Sequence, residues 1–160
     1  MITKNDLTII YEWAKKTTFP LKKAPTSNGY ASKDIYISWL KGVGKTVTIR
    51  KTLMTDEVYN IMQSSDILYA TYSLFDGGTI LNPHKDPNVY REPYKRIQIP
   101  LTIPNKEQCY MTWNGKKIHW EEGIAQVYCV MDHIHDGGNL STDPMEFIMI
   151  DVKKPTIIEL

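Results

Sequence analysis

Leu68-Tyr69-Ala70-Thr71-Tyr72-Ser73-Leu74 is the first of five short runs that set the character of the chain. The others are Arg96-Ile97-Gln98-Ile99-Pro100-Leu101-Thr102, Gln108-Cys109-Tyr110-Met111-Thr112-Trp113, Ile124-Ala125-Gln126-Val127-Tyr128-Cys129 and Phe147-Ile148-Met149-Ile150-Asp151-Val152. Each is rich in β-branched and aromatic residues, which suit a pleated, half-buried surface. Gly77-Gly78, Asn105-Lys106, Asn114-Gly115 and Gly137-Gly138 punctuate them as turns. Short strands with such punctuation predict a mainly β core, a barrel or sandwich, over residues 67–153.

Residues 1–66 read as support for that core. Leu7, Ile10, Tyr11 and Ala14 recur at helical spacing behind Asn5 or Asp6 as N-cap, with Lys15 and Lys16 in the last turn, so a helix is predicted over Asn5 to Thr17. Phe19 to Gly29 has the composition of a loop, with Pro20, Pro25, Ser27, Asn28 and Gly29. Asp34 to Leu40 and Thr46 to Arg50, joined at Gly42-Val43-Gly44, predict a hairpin. Gly44-Lys45-Thr46 resembles the end of a phosphate-binding loop, but Trp39 stands where that loop needs a glycine, so the hairpin turn is preferred. Thr55 as N-cap, Asp56 and Glu57 in the first turn, and Val58, Ile61 and Met62 on one face predict a short helix to Gln63. Lys153 to Leu160 is expected to pack on the sheet or fray.

At 160 residues the chain has the length of a single domain, 1–160, able to bury a substantial core. Its 42% hydrophobic and 23% charged residues exclude intrinsic disorder. Nineteen basic residues against eighteen acidic ones, spread along the chain, carry no footprint of nucleic-acid binding. No window approaches the length of an apolar membrane span. Two cysteines, Cys109 and Cys129, and an N-terminus without a basic-then-apolar layout point to a reducing cytoplasm. Oligomeric state is not readable.

The chemistry centres on Asn82-Pro83-His84-Lys85-Asp86-Pro87. On an extended chain, i and i+2 share a face, so His84 and Asp86 can converge on one ion while Lys85 points away. A second histidine from a partner strand would complete a site, and His133 and His135 lie just after a predicted strand downstream; His119 reads as a surface strand residue. Two imidazoles and a carboxylate leave three coordination positions open, as in ferrous oxygenases, although zinc with a bound water fits the same ligands. Ligand type alone does not choose between them. The ten tyrosines and four tryptophans fall largely in predicted elements, where packing explains them.

From about Tyr69 to Val152 the chain resembles the aspartyl/asparaginyl β-hydroxylase family of 2-oxoglutarate oxygenases, including cis-proline hydroxylase-like members. The resemblance is carried by Tyr72-Ser73-Leu74, Gly77-Gly78-Thr79-Ile80, Pro83-His84, Lys95-Arg96-Ile97-Gln98-Ile99-Pro100-Leu101, Trp120-Glu121-Glu122-Gly123, His135 with Asn139, and Asp151-Val152. It implies a double-stranded β-helix, a jelly-roll or cupin-like barrel with the N-terminal helices outside. It implies Fe(II) held by His84, Asp86 and His135, with His133 as the alternative to His135. It further implies 2-oxoglutarate as cosubstrate with O2, contacts to that cosubstrate from Ser73, Arg96 and Gln98, and hydroxylation of an amino acid or an amino-acid side chain in a polypeptide. A guanidinium suits the contact because it pairs with a carboxylate through two parallel hydrogen bonds.

One departure stands out. Where the family usually places an arginine for the far carboxylate of 2-oxoglutarate, this chain has Met145. Arg91, Lys95 or Lys117 are candidate substitutes. Two other readings stay open: a non-catalytic barrel used for binding or assembly, and a cupin-like metalloenzyme that uses no 2-oxo acid.

Overall fold

The computed structural model describes residues 1–24, 30–43 and 46–160. Pro25 to Gly29 of the predicted loop, and Gly44-Lys45 of the predicted turn, lie outside the described residues. Helix α1 spans Lys4–Lys16 and α2 spans Asp56–Met62. The strands are β1 (Lys22–Lys23), β2 (Ile35–Val43), β3 (Val47–Ile49), β4 (Ile67–Phe75), β5 (Ile80–His84), β6 (Tyr94–Thr102), β7 (Cys109–Trp113), β8 (Lys116–His119), β9 (Gln126–Tyr128), β10 (His135–Asn139) and β11 (Met145–Lys153).

From β4 onward the pairing is nested. β7 pairs β8, β6 pairs β9, β5 pairs β10 and β4 pairs β11, all antiparallel, so the chain is one long hairpin wound on itself. Its tip is the two-residue turn Asn114-Gly115, where both residues have positive φ, 48° and 77°, the handedness that matches strand twist. Winding places β1, β2, β4, β11, β6 and β9 in one sheet, with β3 on β2, and β5, β10, β7 and β8 in the other. This is the double-stranded β-helix expected from the resemblance.

Period-two alternation gives the large sheet two buried faces. Ala70, Tyr72, Ile97, Ile99, Ile148, Ile150 and Val152 face Leu7, Ile10 and Trp13 of α1 and Val58 and Met62 of α2. Ile148 and Ile150 are fully buried there, each worth about 1.5–3 kcal/mol relative to exposure. Their neighbours Met145 and Phe147 join Phe75 and Tyr94 against Cys109 and Met111 of the small sheet. The helices thus buttress the barrel from outside, as predicted.

Some local readings need correction. The N-cap of α1 is Thr3, not Asn5 or Asp6: Thr3 Oγ1 accepts from Asp6 N at 3.1 Å and Asp6 Oδ2 from Thr3 N at 2.8 Å, a reciprocal capping box. β2 continues through Gly42 to Val43, so these two residues belong to the strand and not to the turn. Gly137-Gly138 is not a turn but the middle of β10. A Cβ on Gly137 would stand 2.8 Å from the Tyr110 carbonyl oxygen, so glycine is there for close strand approach, not for chain reversal. The C-terminal tail is pinned by an Ile2–Ile158 bridge.

Lys41 is almost wholly buried, and its Nζ donates to the carbonyls of Met62 at 2.5 Å and Ser64 at 2.8 Å, capping the end of α2. Burial without a carboxylate partner lowers its pKa to about 8.

Candidate metal centre

Because β5 pairs with β10, His84 and His135 lie directly opposite each other, with ring centroids 4.4 Å apart. Asp86 is two residues past the end of β5, where Asp86 N donates to Val130 O at 3.1 Å, and its carboxylate faces the two histidines. Asp86 Oδ1 is 3.1 Å from His135 Nε2 and 3.4 Å from His84 Nε2. One ligand atom from each residue lies within 4.8 Å of the others, the arrangement a single ion needs.

The donor set suits a metal in a second respect. His84 Nδ1 lies 2.6 Å from Asn82 O, and His135 Nδ1 lies 3.1 Å from His133 O. A carbonyl oxygen only accepts, so each Nδ1 keeps a proton, and each Nε2, the nitrogen facing Asp86, is the atom that can give up its proton and take a metal ion instead. Tyr30 stacks on the His84 ring at 4.6 Å and limits its rotation.

Arg96 lies directly behind this cluster. Its Nη1 donates to Asp86 Oδ2 at 2.7 Å, its Nε to Asp151 Oδ1 at 2.7 Å and its Nη2 to Asp151 Oδ2 at 2.9 Å. Tyr90 OH completes Asp151 Oδ2 at 2.6 Å. Burial alone would raise the Asp86 pKa, but hydrogen bonds from His135 and His84 and the Arg96 charge outweigh it and hold the carboxyl well below the usual range. The Asp86 hydrogen bond raises the His84 pKa. Burial, with Asp151 beside it, pushes the Tyr90 phenol up, so it remains a donor.

These groups close one side of a cavity of about 590 Å³ between the two sheets. Ser73 and Gln98 line it, as does Met145, which is buried beside Phe75 and Phe147. Of the candidate substitutes for a basic group, Arg91, Lys95 and Lys117 are not among the lining residues; Lys117 lies over the Tyr110 ring. Among the described residues, the lysine and arginine side chains that line the cavity are Arg96 and Lys22.

His133 stays outside the cluster, its ring against Trp113 at 4.6 Å, and contributes its carbonyl to His135 instead. His119 Nδ1 meets Cys109 O on the exposed strand β8. Asn139 is a structural tie: its Nδ2 donates to Phe75 O at 3.1 Å and Asp143 O at 2.7 Å. Sequence reasoning matched Asp151 without giving it a role and passed over Tyr90. The available signal was an acid within the otherwise apolar run Phe147 to Val152.

The aspartyl/asparaginyl beta-hydroxylase family model matches residues 21–155. The chain belongs to that family. The match reaches well upstream of Tyr69 and takes in the β2–β3 hairpin and α2, leaving α1 outside. Among solved structures, an oxidoreductase of the 2OG-Fe(II) oxygenase family from Burkholderia pseudomallei aligns with TM-score 0.61 and 10% identity over 88% of this chain and 76% of that one. A predicted oxalate decarboxylase from Thermotoga maritima aligns with TM-score 0.53 and 13% identity over 86% and 94%. A cupin 2 conserved barrel domain protein from Rhodopseudomonas palustris aligns with TM-score 0.51 and 9% identity over 86% and 72%. At such identities these likenesses concern the fold. No curated protein matches the chain in sequence. Among the described residues of this family member, no helix is long and apolar enough to cross a membrane.

Proposed function

We propose that the protein is a non-haem iron oxygenase that binds Fe(II) through His84, Asp86 and His135, takes a 2-oxo acid of the 2-oxoglutarate type as cosubstrate, and hydroxylates an amino acid or an amino-acid side chain in a polypeptide. The observation that carries this reading is the convergence of two imidazole Nε2 atoms and one carboxylate at the wall of the cavity between the two sheets. Three ligands on one side leave room for cosubstrate and O2, and the hydroxylase family favours iron over zinc.

Bound there, iron would supply the chemistry that couples oxidative decarboxylation of the 2-oxo acid to C–H hydroxylation. The chain's own residues do the rest. Asn82 O and His133 O hold the imidazole tautomers, and Arg96 keeps Asp86 ionised and oriented. Gln98 and Ser73, which line the cavity, offer hydrogen bonds to the organic ligands. Cys109 and Cys129, both free, suit the cytoplasm as the working compartment.

The test is oxygen uptake by the Fe(II)-loaded protein, with and without a 2-oxo acid, across a panel of free amino acids and short peptides. Uptake that requires the 2-oxo acid and releases its carboxyl group as CO2 supports the reading. Uptake independent of any 2-oxo acid favours a cupin-like metalloenzyme, and failure to bind Fe(II) favours a binding module.

A further inference from the structure

Strand register orders the inner face of the large sheet into rows. Asp151 stands between Arg96 and Tyr69, Met149 between Gln98 and Thr71, Phe147 between Pro100 and Ser73, and Met145 beside Phe75. On β6, β11 and β4 charge is confined to the first row, while Lys22 on the edge strand β1 stands at the end of the third, opposite Ile37, the partner of Ser73. In the second row, Gln98 is only 8% exposed, and its Oε1 accepts from Trp120 Nε1 at 3.2 Å. An indole N–H can only donate, so the amide oxygen faces Trp120 and the NH2 group is left for the cavity, with no protein partner among the described residues. The Thr71 and Ser73 hydroxyls follow, 3.2 Å apart and buried. Beyond them Met145, Phe147 and Phe75 close the lobe.

We propose that the cosubstrate of this cavity is a monocarboxylic 2-oxo acid with a neutral, apolar tail, and that the dicarboxylate 2-oxoglutarate is the poorer ligand. The proposal rests on the oxygenase reading above and specifies its cosubstrate. Arg96 already faces two carboxylates, so its charge is spent within the metal cluster. Together with a divalent metal, these three side chains leave one net positive charge, which the chelating carboxylate of any 2-oxo acid cancels. A second carboxylate would enter the apolar lobe with no buried cation among the described residues to meet it, and desolvating an unpaired charge is costly. Lys22, the other cation of the lining, is exposed on the edge strand β1, where water solvates it. The lobe offers neutral donors and thioether and aromatic surface, which suit a branched aliphatic tail.

The test is an anaerobic titration of the Fe(II)-loaded protein with 4-methyl-2-oxopentanoate and, separately, with 2-oxoglutarate. It is followed by the visible charge-transfer band of a ferrous 2-oxo acid chelate and by calorimetry. The apolar acid is expected to half-saturate at a concentration at least about tenfold lower, which is about 1.4 kcal/mol. Met145→Arg is expected to reverse the order, and Lys22→Ala to leave both affinities within about twofold. Should 2-oxoglutarate bind the unaltered protein as tightly as the apolar acid, the proposal fails while the oxygenase reading stands. Should bound iron give no band with either acid, the oxygenase reading itself fails. Because the comparison is made first on the unaltered protein, misfolding of Met145→Arg does not blunt it.

Discussion

Arg96 grips Asp151 through two hydrogen bonds, Nε to Oδ1 at 2.7 Å and Nη2 to Oδ2 at 2.9 Å, and so reaches Asp86 with its remaining arm already aimed. Tyr90, Asp151, Arg96 and Asp86 form one chain of hydrogen bonds that ends at the metal cluster.

Asp151→Asn breaks that chain without changing size. Partners one step behind a metal ligand typically contribute about 10–100-fold to affinity, and a loss in that range is expected in a Co(II) or Fe(II) titration. Stability should also fall, by roughly 2–4 kcal/mol in urea unfolding, because a buried pair loses one member while Arg96 keeps some solvent.

His84→Ala and His133→Ala separate the two roles the neighbouring histidines play. The first removes a ligand and should weaken metal binding by more than the roughly 10–100-fold expected of an outer partner. The second leaves the backbone carbonyl that His135 uses, so metal stoichiometry measured by elemental analysis should not change.

Lys41 makes stability depend on pH with a definite sign. Its folded pKa, about 8, lies below the ordinary value of 10.5, so between these limits the unfolded chain binds more protons and stability rises with pH. Urea unfolding at pH 9.5 should show about 1–2 kcal/mol more stability than at pH 7.5. Lys41→Met should flatten this profile.

Gly137→Ala tests why β10 carries glycines beside its histidine. The added methyl would meet the Tyr110 carbonyl oxygen at 2.8 Å, with Met111 Cα 3.5 Å away on the same strand, so only backbone could give way. A cost of about 1–3 kcal/mol in thermal unfolding is expected. Metal affinity should drop as well, since His135 lies two residues away on the same strand.

Much of the fold was legible because strands and turns are written locally. Ile97, Ile99 and Leu101 alternate with Gln98 and Pro100, and Asn114-Gly115 has the residue types a tight hairpin turn demands. β10 escaped notice because His135-Asp136-Gly137-Gly138-Asn139 has no strand propensity; its neighbours β5 and β7 make it a strand through pairing. The capping box of α1 was missed because Asp6 is as good an N-cap type as Thr3, and only the reciprocal hydrogen bonds distinguish them. Asp151 was unreadable as a partner of Arg96, since that contact depends on β11 lying beside β6 in one particular register.

The sequence by itself determined the strands β4, β6, β7, β9 and β11, the outer helices and the His84–Asp86 pair. Each follows from residue type and from periods of two to four residues, which act over a single element. Only the tertiary structure decided that His135 and not His133 faces His84, and that Arg96 is held by Asp86 and Asp151. It also decided that, among the described residues, the cavity beyond them is lined by no buried cation. Those outcomes depend on the nested pairing of β4 with β11 and β5 with β10, where a shift of one residue turns every side chain to the opposite face.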